Sequence, residues 1–240
     1  MTTLFISDLH LEADRPDIGK QFLHFLEEEA SQADDLYVLG DLFEAWVGDD
    51  DPNTHYFNVK RALRKLVDNG VPVYFMHGNR DFMIGDRFAN ETGIKILPDP
   101  FKVKMYGQKA LLSHGDILCT NDLQYQQIRK MTRNPEWQAT MLAKPLHERL
   151  AVAEEARLQS LERTINLNMN IMDVTQDAVE KIMQEYEVDV LLHGHTHRPA
   201  VHVVDIDGRK GKRIVLGDWY TQGSVVRWTS RGPSLEEMPR

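Results

Sequence analysis

The stretch "VDVLLHGHTHRPA" at residues 188–200 gives the clearest indication of the fold. A mainly apolar run is followed at once by three histidines within five positions, His193, His195 and His197. Short runs that are rich in β-branched and aliphatic residues and end at a glycine are typical of buried strands. In open α/β sheets, the loops after such strands converge and carry functional side chains. The stretch therefore predicts an α/β fold with a site at its strand ends.

Four earlier segments have the same character. They are "TLFIS" (3–7), "DLYVLG" (35–40), "VPVYFMHG" (71–78) and "KALLSHG" (109–115). Segments with helical periodicity separate them, and this alternation predicts an α/β sandwich. After Val201 the pattern contains only strands and turns, with a hairpin around Asp207-Gly208. We expect a second sheet, largely antiparallel, in that part of the chain.

Residues 120–170 interrupt the alternation of strands and helices. They contain almost no strand pattern and predict two or three helices, with Pro135 near a helix start and Pro145 interrupting a helix. We therefore interpret residues 1–240 as a single domain with a helical insert at 120–170. The apolar side chains of the insert allow two interpretations. It is a helical hairpin that packs on itself, or a lid that covers the active site and receives an apolar ligand.

The composition narrows the class of protein. The chain has 240 residues, 42% of them hydrophobic, which is enough for a sizeable core. Cys119 is its one cysteine, which excludes an internal disulfide and a thiolate zinc site. The N-terminus does not resemble a signal peptide and no apolar run approaches the roughly 20 residues that span a bilayer, so we expect a cytoplasmic protein, soluble or peripheral. The net charge of −9 argues against nucleic-acid binding, and no obligate protein partner is indicated.

Each of the five predicted strands is followed by side chains that bind metals. These side chains are Asp8, His10, Asp41, Asn79, His114, His195 and His197. Carboxylate, amide and imidazole ligands without thiolates suit divalent cations such as Mn, Fe, Co or Zn. Seven ligands exceed the needs of one ion, so we expect two ions with a bridging carboxylate, a pair that can clamp a phosphoryl oxygen. Two such ions would also give this acidic protein the local positive charge that a phosphate requires.

The order of these motifs resembles that of the calcineurin-like metallophosphoesterase superfamily: Asp8-x-His10, Gly40-Asp41, Gly78-Asn79-x-Asp81, His114 and Gly194-His195-x-His197. The resemblance spans residues 8–197 and implies an α/β fold, a sandwich of two mixed β-sheets flanked by helices. It implies that Asp41 bridges two ions, one held also by Asp8, His10 and His197 and the other by Asn79, His114 and His195. Many members have His where this chain has Arg80, and a permanently charged guanidinium suits a diphosphate.

Longer stretches resemble one family within it, the UDP-2,3-diacylglucosamine pyrophosphohydrolases of Gram-negative lipid A biosynthesis. They include "LYVLGDLFEAWVGDDDP" (36–52), "HGNRDFMIGDRFA" (77–89) and "HGDILCTND" (114–122). The resemblance implies an enzyme with two Mn²⁺ per chain, in which water attacks the α-phosphorus and releases UMP and 2,3-diacylglucosamine 1-phosphate. It also favours the interpretation of the insert at 120–170 as a lid over the active site that shelters the two acyl chains. It implies a peripheral protein on the cytoplasmic face of the inner membrane, whose partners are the lipid-linked nucleotide sugar and the membrane surface. Candidate cations for that surface are Arg129, Lys130, Arg133, Lys144 and Arg149.

The same resemblance implies which residues contact the substrate: Asn79, Arg80, Asp122, Ser160 and His195. Of these, Asn79, Arg80 and His195 are the expected catalytic residues, which stabilise the charge that develops on the phosphate. Two further substrate positions in the insert, Thr164 and Leu167, depart from the Asn and Lys that the family often has there. The chain therefore lacks a lysine contact to a phosphate or headgroup on that side.

Two other functions are compatible with the motifs. One is a superfamily enzyme that acts on a soluble nucleotide diphosphate or phosphodiester, which Arg80 and the apolar insert disfavour. The other is a binding scaffold with a vestigial metal site, which the complete set of seven ligands disfavours. Rapid turnover of a soluble dinucleotide would favour the first, and a metal-loaded but inert protein would favour the second.

Overall fold

Apolar residues repeat with a period of two along the strands and with a period of about 3.6 along the helices. The structure is a computed structural model that describes residues 1–166, 173–221 and 223–238, with the backbone alone at 161–166. The strands are β1 (Thr3–Ile6), β2 (Asp35–Val38), β3 (Val73–Met76), β4 (Lys95–Leu97), β5 (Phe101–Met105), β6 (Gln108–Ser113), β7 (Val190–His193), β8 (Ala200–Ile206), β9 (Arg209–Val215), β10 (Gly223–Thr229) and β11 (Gly232–Met238). The α-helices are α1 (Pro16–Glu28), α2 (Phe57–Asp68), α3 (Asp86–Thr92), α4 (Leu123–Thr132), α5 (Pro135–Leu142), α6 (Leu146–Asn166) and α7 (Gln176–Glu185).

The strands form two mixed sheets. The first has the order β11-β10-β1-β2-β3-β4, in which β1 to β4 are parallel and the hairpin β10–β11 is added antiparallel to β1. The second has the order β5-β6-β7-β9-β8, with β6, β7 and β9 parallel and the edge strands β5 and β8 antiparallel. Together with the flanking helices, these sheets confirm the predicted fold class.

The strands after Val201 are divided between the sheets, so the expectation of one largely antiparallel sheet there is wrong. Hairpin β8–β9 turns at Asp207 and Gly208, both of which have the positive φ that a tight hairpin turn favours. This hairpin joins the second sheet, where β9 is parallel to β7. Hairpin β10–β11 instead joins the first sheet beside β1. Periodicity identifies a strand, but its neighbour in the sheet is decided by contacts with residues far away in the sequence.

Apolar side chains alternate along the strands and thereby build the core on both faces of each sheet. In β1, Leu4 and Ile6 pack with the cluster that includes α1, α2 and α3, whereas Phe5 packs between the sheets. In β7, Leu192 packs between the sheets and Leu191 packs toward α7. The layers are therefore helices, first sheet, second sheet and helix. The loops after β1, β2, β3, β6 and β7 meet at one edge of this sandwich.

Where the structure describes the chain between β6 and α7, it forms three α-helices, α4, α5 and α6. Helix α5 begins at Pro135, and Asn134 caps it by accepting hydrogen bonds from the backbone N–H groups of Glu136 and Trp137 at 2.8 and 3.2 Å. Pro145 lies between α5 and α6 and not inside a helix, where it would remove a hydrogen bond. Within the described residues, no helix has the length and apolar character that crossing a membrane requires.

Candidate dinuclear metal centre

All seven predicted ligands lie at the ends of five strands, in the loops after β1, β2, β3, β6 and β7. Backbone hydrogen bonds hold these loops side by side. The N–H of Asp8 donates to the carbonyl of Gly40 at 3.1 Å, and the N–H of Gly194 donates to that of His114 at 2.9 Å. Four ligands are buried, namely Asp8, His10, Asp41 and His114. The other three are half-buried, so the site is open to solvent.

Five of the seven ligands have a left-handed backbone, with φ between 51° and 67°: Asp8, His10, Asp41, His195 and His197. Residues other than glycine adopt this conformation rarely, at a cost on the order of 1–3 kcal/mol each. Such residues cluster at functional sites, where the surrounding structure holds them in place. The left-handed backbone conformation therefore identifies five of the seven motif positions independently of the sequence motifs.

Two glycines let the carboxylates lie directly against a neighbouring backbone. A Cβ atom at Gly78 would collide with the carboxylate of Asp41. A Cβ atom at Gly194 would collide with the carboxylate of Asp8 and the hydroxyl of Ser7. The glycine before Asn79 therefore leaves room for Asp41, and the glycine before His195 leaves room for Asp8, because a side chain at either position would displace the carboxylate.

The ligand atoms form two groups. In each group, every residue offers one ligand atom within 4.8 Å of the others. The first group consists of Asp8, His10 and His197, and the second of Asp41, His114 and His195. Both groups combine carboxylate oxygen with imidazole nitrogen, a donor set that fits divalent first-row cations. The residues present therefore fit two ions.

Asp41 of the second group also lies near the first group, and Asn79 adds a further ligand atom to the second. The Oδ2 atom of Asp41 is 3.8 Å from His10 Nε2 and 3.7 Å from His114 Nε2, so one carboxylate oxygen lies between the groups. The Oδ1 atom of Asn79 is 3.0 Å from His114 Nε2 and 2.9 Å from His195 Nδ1. Asp41 thus occupies the position of a bridging carboxylate, and Asn79 lies with the second group.

Hydrogen-bond acceptors behind two of the imidazoles determine which nitrogen faces the centre. The Nδ1 atom of His10 is 2.8 Å from Glu44 Oε2, and that of His114 is 2.9 Å from the carbonyl oxygen of Leu39. An acceptor beside Nδ1 favours the proton on that nitrogen and leaves Nε2 free to bind a metal.

Two acidic residues beside the ligands do not follow from the motifs. One is Glu44, behind His10. The other is Asp218, whose Oδ2 atom lies 3.4 Å from Nδ1 of His197. The available signal for Glu44 is an acidic residue in the otherwise apolar segment that follows Asp41, "LFEAWV" (42–47). Asp218 carries a weaker signal, because it follows a strand and a glycine in "LGDW" (216–219).

Burial and charge set different protonation states at the ligands. Burial lowers the pKa of His195 to about 4, assisted by the charge of His114. Burial alone would also lower the pKa of His114, but the surrounding carboxylates, led by Asp41, outweigh it and raise that pKa to about 9. At Asp8, burial alone would raise the pKa, but the hydrogen bond and charge of His197 and the other imidazoles hold it well below its usual range.

Metal binding is expected to release a proton near neutral pH. In the metal-free protein His114 is protonated below about pH 9 and must lose that proton to become a ligand, whereas His195 is already neutral. The apparent affinity should rise about tenfold per pH unit for one released proton and level off near pH 9. Calorimetry of Mn²⁺ binding in buffers of different ionisation enthalpy measures the proton count. Identical heats in all buffers would contradict the expectation.

Residues 1–199 match the family model described as calcineurin-like phosphoesterase. Relatives named UDP-2,3-diacylglucosamine hydrolase align over the whole chain. One from Stenotrophomonas maltophilia (strain R551-3) is 49% identical over 247 residues and one from Enterobacter sp. (strain 638) is 48% identical over 239 residues, each alignment covering 100% of both chains. A third, from Xanthomonas axonopodis pv. citri (strain 306), is 50% identical over 245 residues and 99% of both chains. The chain belongs to the UDP-2,3-diacylglucosamine hydrolase family of calcineurin-like phosphoesterases.

In this hydrolase-family chain, Arg80 lies between the ligands and the helical insert. Its backbone N–H donates to Asp41 Oδ1 at 2.8 Å, and its Nη2 donates to the hydroxyl of Ser160 in α6 at 3.4 Å. Its Nη1 is 3.9 Å from Glu44 Oε1. The structure therefore brings Arg80 and Ser160, two of the predicted substrate contacts, together, and the backbone of Arg80 contacts the carboxylate of Asp41.

The remaining predicted substrate positions lie in the insert. Asp122 caps α4, because its side chain accepts a hydrogen bond from the N–H of Tyr125 at 2.9 Å. The ring of Tyr125 is 5.7 Å from that of His195, so the start of α4 lies beside the ligands. Thr164 lies in α6, where the backbone alone is described, and Leu167 lies outside the described residues.

Three of the five cations expected at a membrane surface are engaged within the protein, so that expectation is wrong for them. Arg149 is 3% exposed and pairs with Asp50. Arg129 and Arg133 both form ion pairs with the buried carboxylate of Asp116, at 2.9 and 3.8 Å. These contacts attach α4 to the buried Asp116 and the first turn of α6 to Asp50 in the loop after β2. The two cations that remain exposed are Lys130 and Lys144.

Proposed function

We propose that the protein hydrolyses the diphosphate of UDP-2,3-diacylglucosamine in lipid A biosynthesis. Water attacks the α-phosphorus, and the products are UMP and 2,3-diacylglucosamine 1-phosphate. The observation that carries this proposal is the position of Asp41 between two ligand groups, with Arg80 extending from the same carboxylate toward the insert. Support for the substrate comes from the whole-length relatives that bear the name UDP-2,3-diacylglucosamine hydrolase.

We assign the metals as two Mn²⁺, which when bound lower the pKa of water toward neutrality and neutralise charge on phosphoryl oxygens. One ion would be held by Asp8, His10, Asp41 and His197, and the other by Asp41, Asn79, His114 and His195. The carboxylates and the amide are the harder donors and the imidazoles the softer, a mixture that Mn²⁺ accepts.

Three side chains at the centre have roles in the reaction itself. The planar guanidinium of Arg80 can donate two parallel hydrogen bonds to a phosphate. The Asn79 amide and the His195 imidazole lie within 2.9 Å of each other and would stabilise the charge that develops on the same phosphorus. These groups are fixed by the loops before substrate arrives, so little reorganisation is required during the reaction.

The helical insert supplies an apolar surface for the two acyl chains. Among the side chains of α4, α5 and α6 that the structure describes, seven large apolar ones have between 40% and 72% of their surface accessible: Leu123, Ile128, Met131, Leu142, Leu150, Val152 and Leu158. Covering apolar surface contributes about 25 cal/mol per Å², so a free surface of this kind favours an apolar ligand. The contact between Ser160 and Arg80 supports a role for the insert next to the groups that would bind phosphate, and we propose that it acts as a lid over them.

The proposal is tested by measuring UMP release from UDP-2,3-diacylglucosamine, with and without Mn²⁺, beside the de-acylated UDP-sugar. We expect a strict need for the metal, a strong preference for the acylated substrate, and oxygen from ¹⁸O-labelled water in UMP. Equal rates on the two sugars would indicate a soluble nucleotide diphosphate or phosphodiester as the substrate. A label in the sugar phosphate would place the attack on the other phosphorus.

We further propose that the protein works at the cytoplasmic face of the inner membrane, attached through the exposed apolar side chains of the insert. Leu158 and Ser160 are two positions apart in α6, about 200° around the helix, so Leu158 lies on the side away from Arg80. Lys130 and Lys144 are exposed in the same insert and would favour an anionic lipid surface.

Replacing Leu158 by glutamate should weaken binding to vesicles of phosphatidylethanolamine and phosphatidylglycerol by about tenfold or more, because it removes apolar burial and adds a repelled charge. Co-sedimentation with the vesicles measures this. A matched control is Val203→Glu, because Val203 is also exposed but lies on edge strand β8 of the second sheet. An equal loss in both variants would contradict attachment through the insert.

A further inference from the structure

Glu44 lies between the ligand groups and the helical insert. It follows β2, three residues after Asp41, and is 7% exposed. Its two oxygens face different partners. Oε2 is 2.8 Å from Nδ1 of His10, whereas Oε1 is 3.2 Å from Nε of Arg157 and 3.9 Å from Nη1 of Arg80.

We infer that Glu44 is a positioning residue that couples the orientation of the metal ligand His10 to the docking of the helical insert. On one side, Oε2 accepts the Nδ1–H of His10 and thereby leaves Nε2 as the metal-binding nitrogen. On the other side, Oε1 pairs with Arg157, which belongs to α6 of the insert. The inference rests on the metal site of the proposed function and adds a residue that the sequence motifs do not include.

The chemistry at this position requires a carboxylate. All three neighbours of Glu44, His10, Arg157 and Arg80, are donors, and only a carboxylate accepts hydrogen bonds on both of its oxygens. A glutamine of the same shape has one acceptor and one donor end. If its oxygen faced His10, its NH₂ group would face the guanidinium of Arg157. If it turned around, the NH₂ group would face Nδ1 of His10 and favour the tautomer that protonates Nε2, the nitrogen needed for the metal.

Burial makes this requirement strong. The side chains of Glu44 and His10 are 8% and 4% exposed, so water cannot readily replace a lost partner. Both oxygens of Glu44 therefore depend on these protein donors for their hydrogen bonds and ion pairs.

The chain offers a matched control in Glu12. Its Oε2 atom is 3.1 Å from Nη2 of Arg157, so Glu12 pairs with the same insert residue as Glu44. Within the described residues, Glu12 has no hydrogen bond to any of the seven metal ligands. Glu12→Gln therefore weakens the hold on the insert and leaves the support of His10 intact, whereas Glu44→Gln disturbs both.

The test is calorimetric titration of the metal-stripped full chain with Mn²⁺, for the wild type, Glu44→Gln, Glu44→Asp and Glu12→Gln. We expect Glu44→Gln to weaken the binding of one of the two ions by about 10- to 100-fold, and Glu12→Gln to bind both as the wild type does. Glu44→Asp keeps two acceptor oxygens and should recover part of the affinity. Unchanged titration by Glu44→Gln would overturn the inference.

A second measurement separates positioning from a general loss of structure. The activity of Glu44→Gln should rise toward that of the wild type as Mn²⁺ is increased about 100-fold, because the weakened site then fills. A loss of kcat that no Mn²⁺ concentration relieves would also overturn the inference. The titration uses no substrate, so the two proposals fail in different ways. A wild type that binds two ions but leaves UDP-2,3-diacylglucosamine uncleaved refutes the proposed function alone.

Discussion

Asp41→Asn should lower the turnover of the diphosphate substrate by at least about a thousandfold, equivalent to ~4 kcal/mol of transition-state stabilisation. The substitution keeps the size of the side chain and an oxygen that can accept the backbone N–H of Arg80, a hydrogen bond of 2.8 Å in the native protein. It removes the negative charge between His10 and His114, the two imidazoles that lie 3.8 and 3.7 Å from Oδ2. A neutral amide bridges two divalent ions poorly, so the loss should fall on kcat and on metal content together.

The matched control for this prediction is Asp86→Asn. Asp86 is exposed at the first turn of α3, so its replacement removes the same charge away from the ligands. We expect that variant to keep normal turnover and both ions. The measurements are steady-state UMP release and the ratio of bound metal to protein. Turnover by Asp41→Asn within about tenfold of the wild type, with two ions bound, would refute the bridging role.

Arg80→Ala should reduce kcat/KM for UDP-2,3-diacylglucosamine by about a hundredfold or more, and that for an artificial phosphodiester such as bis(4-nitrophenyl) phosphate by less than about tenfold. The difference is expected because a diphosphate offers a second charged group that a simple diester lacks, and a guanidinium binds such groups through paired hydrogen bonds. Arg80 contacts Asp41 through its backbone N–H and Ser160 of the insert through its guanidinium.

Two further variants sharpen the test at Arg80. Arg80→Lys keeps the charge and loses the planar fork, so it should recover only part of the loss. Arg87→Ala removes an exposed arginine that pairs with Glu91 on α3 and serves as the control for charge alone. Equal losses on the diphosphate and the phosphodiester would show that Arg80 supports the metal centre generally and does not recognise the diphosphate.

The clustering of the candidate ligands could be predicted from the sequence because its signal is local. Each ligand stands at the end of a strand that is readable from its apolar run, and parallel strands deliver their following loops to one edge of a sheet. His114 and His195 lie far apart in the sequence, yet each follows a strand of the parallel pair β6 and β7. Their rings lie 5.0 Å apart in the structure. The order of motifs was therefore sufficient to place them together.

The side chains that support the ligands could not be predicted because their signal is not local. Glu44 is 34 residues from His10 in the sequence. A single acidic residue in an apolar segment does not specify an imidazole as its partner. The arginines of the insert show the same limit. A charged helical residue has the pattern of a solvated face, but Arg129 and Arg133 point to a carboxylate, Asp116, that follows β6 and is buried in the core. Sequence periodicity does not record such distant pairs.

Each of the two ligand groups combines residues from both sheets. Asp8 and His10 follow β1 of the first sheet, whereas His197 follows β7 of the second. In the other group, Asp41 follows β2 of the first sheet, whereas His114 and His195 follow β6 and β7 of the second. An ion in either group is therefore a cross-link between the sheets, in a chain whose single cysteine cannot form an internal disulfide. Ion release and separation of the sheets are linked equilibria, and each ion adds about 2.7 kcal/mol to the free energy of unfolding when present at a hundred times its dissociation constant.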